Sequence, residues 1–120
     1  MNEMGVVYLF ALVAQDLRIY IEAIGTRFPD AVARRESNGR LHRVLLEFEY
    51  KSSGARMHGG RLKTDRHVVV CWEHDWSECP VEVIELKSAI RRLPNWVYIH
   101  RVGQAPEARH RGLKRAKRRP

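Results

Sequence analysis

Hydrophobic and polar positions alternate most cleanly over residues 43–51, RVLLEFEYK. Val44, Leu46, Phe48 and Tyr50 fall on one side, and Leu45, Glu47, Glu49 and Lys51 on the other. A period of two over β-branched, aromatic and apolar residues predicts a half-buried strand. One face is a core face. The other carries two carboxylates and an amine, neighbours being about 6–7 Å apart along the strand. Ser37-Asn38-Gly39-Arg40 precedes it. Asn-Gly tolerates the positive φ of a type I′ turn, so a two-residue hairpin is expected here. If Asn38 and Gly39 form the loop, Ser37 faces Arg40 and Asp30 lies directly across from Glu47. Two facing carboxylates repel, and a divalent cation held by their oxygens would relieve that repulsion.

The remaining elements follow from the same patterns. Residues 4–17 are apolar almost all round and too long for a buried strand, which predicts a buried helix. Asn2 can cap it, and Glu3 lies in its first turn, where the helix dipole favours a carboxylate. Residues 18–24 alternate as a first strand, and residues 25–27 turn the chain. Phe28-Pro29-Asp30 leads into a second strand over 31–36, and the hairpin delivers a third over 41–52. Residues 53–66, SGARMHGGRLKTDR, form a Gly-rich basic loop long enough to suggest a task of its own. HVVVCWE at 67–73 reads as a central strand buried on both faces. A fifth strand is expected over 81–87, a short helical segment over 88–93 and an edge strand over 96–101.

At 120 residues the chain has room for one core. Charge changes the picture more than size does. Of the net +8, about six charges come from residues 103–120, where Arg109, Arg111, Lys114, Arg115, Lys117, Arg118 and Arg119 face a single acid, Glu107. Residues 1–102 are therefore read as the folded domain, and 103–120 as a basic, disordered arm. A cationic arm almost without apolar residues suits a polyanion, nucleic acid ahead of membrane. A solubilising tail is the bland alternative. No signal peptide is apparent, no segment is long enough to span a bilayer, and two cysteines make no disulfide framework, so a cytoplasmic protein is expected.

The order of elements, with Phe28-Pro29-Asp30 on one strand and Glu47-Phe48-Glu49 on its partner, resembles the PD-(D/E)xK, or restriction-endonuclease-like, nuclease superfamily. More narrowly, FPDAVARR, LEFEYKSS, VVVCWEHDW and VEVIELK look like a small bacterial family within that fold. The resemblance covers residues 2–87. It implies an α/β restriction-endonuclease-like core, with an N-terminal helix and a mixed sheet of about five strands. It also implies Mg²⁺- or Mn²⁺-dependent hydrolysis of DNA, RNA remaining open, by a homodimer that reaches both strands. Asp30 and Glu47 would bind the metal, joined by the Phe48 carbonyl. Glu49 occupies the position more often held by lysine, and would bind metal or act as general base. Lys51 would supply the missing positive charge, and Glu3 matches the acid many members carry on the first helix. The alternatives are a solvated sheet face whose Glu and Lys pair harmlessly, and a nucleic-acid-binding module without catalysis.

Other residues compete for attention. Glu85-Leu86-Lys87 is a second E-x-K, with Asp65 or Asp75 as conceivable partners, but no hairpin arithmetic places either opposite Glu85. His58 is the histidine expected near a scissile phosphate, and Arg61, Lys63 and Arg66 of the same loop would grip phosphates with the arm. Cys71, His74 and Cys79 have zinc-like spacing but need a fourth ligand, His67 or His58. Trp72, Trp76 and Trp96 are read as packing residues rather than base-stacking platforms.

Overall fold

The computed structural model describes residues 1–94. The strand expected over 96–101, Trp96 and the basic arm of residues 103–120 lie outside the described residues. The described chain is α/β, with an N-terminal helix and one five-stranded mixed sheet in the order β1-β2-β3-β4-β5. Helix α1 spans Glu3–Val13, and Asn2 caps it by accepting the Gly5 N–H at 2.9 Å. A 3-10 turn, Ala14–Leu17, follows and closes on Arg18 in the left-handed region. Strands β1 (Ile19–Ile24), β2 (Ala31–Ser37) and β3 (Arg40–Lys51) form an antiparallel meander. Strands β4 (His67–Glu73) and β5 (Glu82–Glu85) add to it in parallel, and helix α2 (Leu86–Arg91) completes the described fold.

The hairpin register is the one the sequence dictates: Ser37 faces Arg40 and Ala31 faces Leu46. Asn38 (φ 53°) and Gly39 (φ 75°) both take the positive φ that the tight turn requires. Alternation then sorts the sheet into two faces. Val44, Leu46, Phe48, Val68 and Val70 pack with Val6, Leu9, Phe10 and Val13 of α1 and with Leu86 and Ile90 of α2. Phe10 and Phe48 meet tilted, with centroids 5.5 Å apart. A smaller cluster on the opposite face joins Val69 to Ala55, Leu62 and Val81 beneath the segment that links β3 to β4.

Three elements differ from expectation. The first helix ends at Val13, because the chain tightens to 3-10 geometry before the Arg18 turn. It is also not buried all round: Met4 and Tyr8 face outward, since a helix on a sheet covers only one stripe. The Gly-rich loop is largely ordered as 3-10 helix over Ser52–Arg61, packed on β3 and β4. The fifth strand stops at Glu85, and Leu86 and Lys87 open α2 instead. Among the described residues, no helix is long and apolar enough to cross a membrane.

Candidate metal centre

Asp30 ends the turn that feeds β2, one step past the last hairpin pair, so its side chain meets β3 at the level of Glu47 and Phe48. The Phe48 N–H donates to Asp30 Oδ2 at 2.9 Å. Glu47 is only 3% exposed, in a position enclosed by β2, β4 (its parallel partner is Val69) and the 3-10 segment. That segment brings His58 over the strand, with its Nε2 3.5 Å from Glu47 Oε1. The His58 ring also lies against Phe28, centroids 4.9 Å apart. One atom each from Glu47, Glu49 and His58 lie within 4.8 Å of one another, a group able to hold a metal ion. Asp30 stands beside this trio rather than within it.

The electrostatics describe a site overloaded with negative charge. Burial, then the Asp30 charge and a hydrogen bond with Asp30, push the Glu47 carboxyl up to about 8. Glu49 is pushed up to about 7, again by burial first, with Glu3 and Asp30 adding to it. Glu3 is itself raised by burial and Asp30, and His58 opposes that rise. Glu3, Asp30, Glu47, Glu49 and His58, from four separate parts of the chain, therefore act on one another. Glu47 Oε2 and His58 Nδ1 are buried with no hydrogen-bond partner. A buried carboxylate oxygen without a donor is costly unless a cation or a proton meets it. A set of two carboxylates and one imidazole could hold a divalent ion.

Gly54 belongs to the site, although the sequence marks it only as one glycine of a Gly-rich stretch. A Cβ there would lie 2.6 Å from Glu49 Oε2, so the bare backbone of the 3-10 segment is what leaves room for this carboxylate.

Several expected participants are occupied elsewhere. Lys51 reaches Glu73 on the neighbouring strand at 3.8 Å, because its parallel partner in the ladder is Glu73 itself. Glu73 is held from the other side by Lys87 at 3.6 Å. Glu85 accepts the Ser88 hydroxyl and the His74 N–H, the latter at 2.8 Å, bonds that lower its pKa. Asp75 accepts from Ser53 through both its backbone N–H and its hydroxyl, and Asp65 pairs with Arg66. Cys71, His74 and Cys79 do not converge on a metal site among the described residues. Burial pushes the Cys71 thiol up to about 12. His74 Nδ1 lies 2.7 Å from the Ser52 hydroxyl, which also accepts the Asp75 and Trp76 N–H groups. His67 is buried, accepts the Lys63 N–H through Nδ1 and stacks on Phe28 at 5.3 Å. Trp72 and Trp76 pack at the edges of the two clusters. Of the loop cations, the Arg61 guanidinium lies over Phe28 at 4.7 Å, Lys63 reaches the Gly60 carbonyl, and Arg66 is exposed.

Comparison with protein-family models, curated proteins and solved structures returns no match.

Proposed function

We propose that this chain is a metal-dependent nuclease of the restriction-endonuclease-like type, hydrolysing phosphodiester bonds in DNA with Mg²⁺ or Mn²⁺. The observation that carries the reading is the buried, partnerless Glu47 oxygen, set among Asp30, Glu49, Glu3 and His58. The order of α1, an antiparallel meander and a parallel fourth strand supports it, since the family resemblance implies the same order.

Glu47, Glu49 and His58 would hold the ion, with Asp30 turned toward it by the Phe48 N–H. When bound, a divalent ion supplies charge stabilisation at a phosphoryl oxygen and an acidified water. Glu49 is less buried than Glu47 and has a carboxyl raised to about 7, suited to taking a proton from water near neutral pH. As a ligand, the His58 imidazole would also hold Glu47 in place, its Nε2 being 3.5 Å from Glu47 Oε1. Lys51, tied to Glu73, contributes no charge at the centre, and this favours the second reading, a binding module without catalysis.

The test is plasmid nicking in Mg²⁺ and Mn²⁺ by the wild type, Asp30→Ala and Glu47→Gln. Metal-dependent nicking lost in both variants, with unchanged circular dichroism, supports a nuclease. Wild-type protein that leaves single-stranded, duplex and branched DNA uncut selects the binding module.

A further inference from the structure

The sheet face that carries Glu47 continues past the acidic centre toward the hairpin, and there it becomes basic. Arg34 of β2 and Arg43 of β3 are direct cross-strand partners. Their neighbours Ala33 and Val44 point into the α1–α2 core, so both arginines lie on the opposite face, the face of Glu47. Tyr20 of β1, exposed, pairs with Arg34 and completes a Tyr20–Arg34–Arg43 row across three strands. Like charges directly opposite one another on a sheet, with Cβ atoms about 4.5–5.5 Å apart, repel. One carboxylate, Glu22, answers the pair by meeting Arg34 Nε at 3.0 Å, in an exposed contact that solvent screens. Among the described residues Arg43 has no ion-pair partner. The β3–β4 ladder begins only at Leu45, so β4 does not cover this row. Exposed Arg66 flanks it, its carbonyl accepting the Leu45 N–H at 2.8 Å.

We infer that Arg34 and Arg43 form a phosphate clamp that holds the nucleic-acid backbone along β3, away from the acidic centre. Two guanidinium forks side by side present the planar donor arrays that phosphate oxygens accept, and a phosphate between them removes their repulsion. Arg43 is four residues from Glu47, about 13 Å along the strand at ~3.3 Å per residue. The clamp would thus take a different phosphate from the one at the metal centre, and fix register without reading bases. The inference rests on the nuclease reading for its choice of partner, but it concerns binding and is measured without cleavage.

The experiment is metal-free binding of the full chain to a duplex as a function of salt. The slope of log K against log salt should fall by ~0.9 for Arg43→Ala and by ~1.8 for R34A/R43A, one phosphate contact each. Arg91→Ala on helix α2, which packs on the other face, should leave the slope unchanged. Thermal melting of Arg43→Ala should be unchanged or higher, since a repulsion has gone, whereas a structural arginine would lower it. An unchanged slope in R34A/R43A, or an equal fall in Arg91→Ala, overturns the clamp. Cleavage is scored separately. An Arg43-dependent slope in a protein that never cuts keeps the clamp and sinks the nuclease. Cutting with an unaffected slope does the reverse.

Discussion

At the scale of single residues, the candidate centre depends on a side chain that is missing. Gly54 lies against Glu49, where a Cβ would come 2.6 Å from Oε2 and 3.0 Å from Cδ. The obstructed group is the end of a flexible side chain, so Gly54→Ala can be accommodated by moving the carboxylate. Stability should change by less than about 1 kcal/mol, the usual range away from strained positions. Mn²⁺ affinity should fall ~10-fold or more, because a displaced ligand loses its geometry. Titration calorimetry beside a denaturation curve separates the two effects. Glu49→Gln tests the same carboxylate chemically. It should cut metal-dependent cleavage by ~10²–10⁴, the scale of a general base, while metal-free DNA affinity holds or rises.

At the scale of elements, the hairpin fixes the site. Gly39 at φ 75° has no Cβ to strain, and Asn38 at φ 53° is a residue that tolerates this region. Gly39→Ala should cost about 1–2 kcal/mol in urea unfolding, the cost of a Cβ in left-handed backbone. A larger loss, with Mn²⁺ binding abolished, would mean that the register itself had slipped. A slip by one residue would move Glu47 to the α1 face. This explains what the sequence disclosed. Asn38-Gly39 plus alternation was enough to put Asp30 level with Glu47, because turn chemistry and a period of two are local rules. His58 and Gly54 entered the site through packing of a 3-10 segment on β3 and β4, which no local pattern encodes. The contact of Lys51 is a similar case. This lysine shares the face of Glu49, but its partner was decided by the parallel register with β4, which sequence alone does not give.

At the scale of the whole molecule, the acidic cluster ties stability to pH. Glu47 is raised from an ordinary carboxylate value to about 8, so between about pH 4.5 and 8 the folded state binds more protons than the unfolded state. Its contribution to stability therefore falls as pH rises through that window. Glu85 works in the opposite sense. Its lowered pKa stabilises the fold above the ordinary carboxylate range and is lost as pH falls below it. Metal-free protein should thus be most stable near pH 5, with a Tm lower at pH 8 by on the order of 10 °C. Glu47→Gln should flatten the decline on the alkaline side. Millimolar Mn²⁺ should raise the Tm more at pH 8 than at pH 5, since a metal displaces the protons that Glu47 and Glu49 otherwise hold. Calorimetric scans over pH 4–9, with and without Mn²⁺, measure all three.

The centre gathers groups from the start of α1, the turn before β2, the middle of β3 and the 3-10 crossover between two parallel strands. Such an assembly closes late on the folding path, because parallel pairing through a crossover pays its loop entropy before any contact repays it. A ligand bound only by the finished constellation stabilises the native state but not the transition state. Divalent ions should therefore prolong the life of the folded chain by slowing its unfolding, and leave the rate of refolding nearly untouched.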